Sequence, residues 1–118
     1  MKAQNLKENL EQTIKHNQIQ IDKAKANLAE NFVYYFPWVG EEFYKLEYKQ
    51  DYYRAILHDI TEGVEISKVL EHWNKQFKDY TSRAYNVREN STGSLFREVS
   101  SWKFQVQIEL VEWLNSFK

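Results

Sequence analysis

Residues 4–36 read QNLKENLEQTIKHNQIQIDKAKANLAENFVYYF, and how this stretch is parsed governs the rest of the architecture. Ile14, Ile21, Leu28 and Tyr35 recur at every seventh position. Leu10, Asn17, Ala24 and Asn31 fill the alternate position three residues on from the previous set. This spacing keeps one apolar stripe on one side of a helix, the pattern of paired helices. Asn17 and Asn31 then fall in the seam, where a polar side chain lowers stability but fixes register. The spacing predicts a first helix over 4–36.

Working outward, Pro37 lacks an N–H and pushes Phe36 away from the helical region. Trp38-Val39-Gly40 therefore reads as a tight connection. Glu41 and Glu42 suit the positive end of a second helix over 41–62, with its seam at Phe43, Leu46, Gln50, Tyr53, Leu57 and Ile60. Gly63 sits where a helix ends in a left-handed residue, with Val64 as the apolar residue that packs back. A third helix over 65–85 carries Ile66, Leu70, Trp73, Phe77, Tyr80 and Ala84. The link before it is so short that helices two and three are expected to be antiparallel neighbours. Residues 86–93 read as one long polar loop.

In a fourth helix over 94–117, Leu95, Val99, Trp102, Val106, Leu110, Trp113 and Phe117 form one face. Phe104, Ile108, Val111 and Leu114 extend it sideways, leaving Glu98, Ser101, Gln105, Glu109, Glu112 and Ser116 as a narrow polar strip. The expectation is an all-α chain: a mostly antiparallel four-helix bundle forming one domain over residues 1–118.

Composition narrows the function. The chain has no cysteine, which excludes disulfides, thiolate metal sites and Cys nucleophiles. With 16 basic and 17 acidic residues, its balance does not favour a strongly basic nucleic-acid binder. Neither a leader segment nor a membrane span is read in the sequence, so a soluble, cytoplasmic protein is expected. Asn90-Ser91-Thr92 matches the glycosylation acceptor pattern, but in such a protein it reads as polar loop.

Chemistry-bearing motifs are missing. None of His16, His58 and His72 is preceded three residues earlier by the Glu that carboxylate-bridged metal bundles use. With 3 glycines in all, a phosphate-cradling loop is not expected. No cofactor and no metal are expected. Arg54 and His58, one helical turn apart, are the only pair that suggests a metal-independent bundle ribonuclease.

What remains is surface. Ten aromatics fall within the 22 residues from Phe32 to Tyr53. Tyr44, Tyr48 and Tyr52 recur at i, i+4 and i+8, beside a seam that is already filled. With Trp38, they make a first candidate protein interface, because tyrosine joins an apolar body to a polar tip. Phe104, Ile108 and Val111 make a second. The leading expectation is a non-catalytic helical adaptor or small subunit with protein partners, in a homo- or hetero-oligomer. The alternative is a subunit of a nucleoprotein complex, touching nucleic-acid backbone through Lys68, Lys75, Lys78, Arg83, Arg88 and Lys103. For that alternative the chain is similar, in architecture alone, to the small helical subunits of CRISPR effector complexes.

Overall fold

The structure, a computed structural model, describes residues 2–90 and 93–117. Four α-helices account for nearly all of them: α1 (Lys2–Glu30), α2 (Phe32–Thr61), α3 (Ile66–Asn90) and α4 (Ser94–Asn115). There is no strand among the described residues. The expected all-α fold of four helices is therefore present. The helices form two compact units, Met1–Thr61 and Glu62–Lys118.

In the first unit, Lys25 lies 3.5 Å from Glu47. Further along, the Arg54 guanidinium donates to Gln18 Oε1 at 2.7 Å. Partner numbers fall on α1 as they rise on α2, so the two helices run antiparallel. Leu10, Ile21 and Ala24 of the heptad seam are buried, as are Tyr53 and Ile56 of α2. Leu6 joins them one turn before Leu10. Gln50 is buried within this seam, and its Nε2 donates to the Ile14 carbonyl at 2.8 Å. That link ties a fixed point of α2 to a fixed point of α1, a register device like the seam asparagines of paired helices.

The boundary between α1 and α2 differs from the expected one. The helix breaks at Asn31, not at Pro37. Asn31 is exposed and is no seam residue. Its Oδ1 accepts the Tyr34 N–H at 3.1 Å, three residues on, which is the geometry of a helix N-cap. A heptad extrapolated through residue 31 overlooks this cap. Pro37 lies inside α2. A proline in a helix leaves the carbonyl four residues back, here that of Val33, without its donor. Val33 is 84% exposed, so this loss falls on a solvent-facing turn and not in the core. The chain reverses midway between Lys25 and Glu47, within the stretch that holds the Asn31 break, Pro37 and Gly40.

In the second unit, Tyr85 meets Phe104 with ring centroids 5.7 Å apart. Lys78 and Thr81 line one groove with Ile108 and Val111. α3 and α4 therefore also run antiparallel. Val69, Leu70, Phe77 and Ala84 of α3 are buried, as are Val106, Leu110 and Leu114 of α4. Gln107 and Ser100 are buried too, which the apolar pattern did not foresee. α3 continues to Asn90, so residues 86–90 are helix and not loop. The reason lies in Arg88. Its guanidinium sits 5.0 Å over the Tyr85 ring and 4.7 Å over that of Phe104, pinning the last turn. A cation there also suits the helix C-terminus. Ser91 and Thr92 of the acceptor pattern lie outside the described residues.

Between α2 and α3, Gly63 has φ +91°, the left-handed conformation that the sequence pattern required. Val64 after it is 42% exposed, so it packs back on the helix only in part.

Candidate functional site

Among the described residues, the largest concentration of exposed apolar side chains lies at the start of α2. Phe32 (58% exposed), Val33 (84%), Tyr34 (61%), Phe36 (44%) and Trp38 (76%) fall within seven consecutive residues. Isolated exposed hydrophobics are ordinary, but several gathered in two helical turns are a mark of an interaction surface.

Two helical rows order the group. Phe32 and Phe36 are one turn apart and stack, with centroids 5.1 Å apart and planes at 26°. Gly40 continues that row. A Cβ on Gly40 would come within 2.7 Å of the Phe36 ring, so the bare glycine lets the ring lie flat along the helix. Tyr34 and Trp38 form the second row by their i, i+4 spacing. Tyr34 also meets Tyr35 edge-on at 5.0 Å. These rings rest on one another and on their own helix, and still face solvent.

Of the residues singled out by sequence, Trp38 belongs to this group. Tyr44, Tyr48 and Tyr52 do not. They are half-buried and form a ladder down α2, with Tyr44 stacked on Tyr48 at 6.0 Å and Tyr48 meeting Tyr52 edge-on at 5.2 Å. The Tyr52 hydroxyl lies 3.4 Å from that of Tyr48. Burial, and secondarily the neighbouring Tyr48 phenol, push the Tyr44 hydroxyl above its ordinary pKa. The ladder is thus more a packed boundary than an open face.

In the second unit, Phe104 is engaged by Tyr85 and Arg88. Ile108 is 37% exposed and, with half-buried Val111, lines a shallow groove of about 390 Å³ together with Lys78, Thr81, Ser82 and Glu112.

The basic residues do not converge on one surface. Lys68 and Lys75 share a face of α3 with Glu71 and His72. Lys78 lies at the groove beside Ile108. Arg83 pairs with Asp79 at 3.0 Å, and Arg88 pairs with Glu89 at 3.1 Å while lying over the two rings. Lys103 is half-buried on α4. Arg54 is bound to Gln18, not to Asp51 or His58. Among the described residues no group of three or more His, Asp or Glu side chains is placed to hold a metal ion. Among them, too, no helix is long and apolar enough to cross a membrane.

Phe32, Val33, Tyr34 and Phe36 are the residues that sequence reasoning missed as a surface. Two signals pointed to them: the aromatic density of the stretch, and Asn31 placed directly before an apolar run, a helix-start signature. No protein family, no curated protein and no solved structure matches this chain.

Proposed function

We propose that this chain is a non-catalytic helical subunit that docks onto a protein partner through the aromatic end of its first unit. The observation that carries the reading is the exposure of Phe32, Val33, Tyr34, Phe36 and Trp38 within the first two turns of α2. A soluble chain gains nothing from keeping such surface in water. Covering the remaining exposed part of each side chain stabilises a complex by on the order of 1–2 kcal/mol. Five together reach the lower part of the ~4–15 kcal/mol lost in association, so polar contacts at the rim must add to them. Trp and Tyr are also the residue types on which binding energy concentrates.

A nucleic-acid reading has weaker support. Arg83 and Arg88 are paired with carboxylates on their own helix, and the remaining lysines are dispersed.

Gel filtration of the tagged full chain in an extract of its own cells tests the proposal. The wild-type chain should elute well above its own 14.3 kDa. A Phe32→Ser/Trp38→Ser variant should elute at its own size. Both positions are exposed, so the variant retains its fold. A wild-type chain that elutes alone contradicts the reading.

A further inference from the structure

We infer that the partner segment seated on this aromatic end is cationic as well as apolar: a stretch of protein that sets Lys or Arg beside its hydrophobic side chains. The inference rests on the docking reading above and adds the chemistry of the occupant.

The charge pattern is one-sided. From Ala26 to Tyr44 the chain contains no Lys, Arg or His, but it does contain Glu30, Glu41 and Glu42. All three carboxylates are exposed. Lys45 reaches back to Glu41 at 2.7 Å, compensating one of them. The Glu30 and Glu42 carboxylates make no hydrogen bond or ion pair among the described residues. They flank the exposed rings on either side in the chain, Glu30 just before Phe32 and Glu42 four residues after Trp38.

The rings favour the same partner. An aromatic face is electron-rich and attracts a cation, by about 0.5–2 kcal/mol depending on how far the contact is desolvated. Exposed Phe32, Tyr34 and Trp38 supply such faces. Glu42 follows Trp38 by one helical turn, so an Arg or Lys on the partner can lay its stem on the ring and turn its head to the carboxylate.

Other occupants fit less well. A second copy docking through the same end would bring a second set of these carboxylates and no further cation, since a two-fold contact uses the same patch on both chains. Nucleic acid and anionic lipid would set phosphates against the same carboxylates. A zwitterionic lipid surface lacks that repulsion and is a separate arm of the test.

The full chain is titrated with three labelled helical peptides of equal length and identical Leu and Phe positions. Their polar positions carry Lys and Arg, Gln, or Glu. Fluorescence anisotropy is read at low and at physiological salt. The basic peptide should bind about tenfold or more tighter than the Gln peptide, equivalent to roughly 1.4 kcal/mol. The margin should shrink as salt rises, and the Glu peptide should not bind. Glu30→Gln/Glu42→Gln should remove most of the margin while leaving binding of the Gln peptide in place. Equal binding of basic and Gln peptides overturns the charge inference but leaves the docking reading standing. Basic-peptide binding that survives Phe32→Ser/Trp38→Ser places the contact elsewhere and overturns both. Failure of all three peptides to bind overturns the inference. So does co-sedimentation with phosphatidylcholine vesicles that Phe32→Ser/Trp38→Ser abolishes, because the occupant is then lipid.

Discussion

Asn31 carries more of the first unit's form than its exposed position suggests. Its side chain takes the Tyr34 N–H, and its own carbonyl accepts from the Tyr35 N–H at 3.0 Å. Replacing it with Ala should cost about 1 kcal/mol in urea unfolding, the usual loss for a removed N-cap, while Asp or Ser should restore most of it. An Asn31→Ala chain as stable as wild type would show that the cap contributes nothing. Tyr44 governs a different property. Its pKa is raised by burial and then by Tyr48, so the folded chain holds the phenol proton more tightly than the unfolded chain does. Between the unfolded pKa of about 10 and the higher folded value, the folded state binds more protons. Stability is therefore fully present below pH ~10 and falls as pH rises through the folded pKa. Thermal melts above pH 10 should show this fall, and Tyr44→Phe should make it shallower. An identical alkaline slope in the variant would assign the loss to other groups.

At the scale of the helices, Gly40 and Gly63 serve opposite needs. Gly63 adopts a left-handed backbone, and a Cβ there would touch nothing within 4 Å. Gly63→Ala should therefore cost about 1–2 kcal/mol through backbone strain alone. An unchanged urea midpoint would mean that the turn relaxes without cost. At Gly40 the limit is steric, set by the Phe36 ring. Much of this element-level structure was legible in the residues. Leu10, Ile21 and Ala24 in α1, Leu70, Phe77 and Ala84 in α3, and Val106 and Leu110 in α4 are both periodic and buried. Periodicity works there because each helix buries one continuous side. It failed at the breaks. Pro37 is a strong breaker by its chemistry, yet it lies inside α2, where the residue four back, Val33, is exposed and not in the core. Asn31 looked like one more seam position because it kept the seven-residue spacing. Residues 86–90 looked like loop by polarity, and the contacts of Arg88 with Tyr85 and Phe104 decided otherwise. The candidate site was half legible. Aromatic crowding marked the region and Trp38 within it. Which rings stay in water could not be read, because apolar residues surround the first turns of α2 on every side and the pattern prefers no face.

For the molecule as a whole, each unit buries its own apolar seam, and among the described residues the largest exposed aromatic group lies in the first. The polar strip of α4 and the paired cations of α3 present ordinary solvated faces by comparison. The proposed role therefore turns on whether the Phe32–Trp38 end is open in the isolated chain and covered in the cell. Hydroxyl-radical footprinting, read by mass spectrometry, compares the purified full chain with the chain in the complex recovered from its own cells. Phe32, Tyr34 and Trp38 should oxidise rapidly in the purified chain and several-fold more slowly in the complex, while exposed Tyr85 in the second unit oxidises at the same rate in both. Equal oxidation of Trp38 in the two states would contradict a docking role for this end of the molecule.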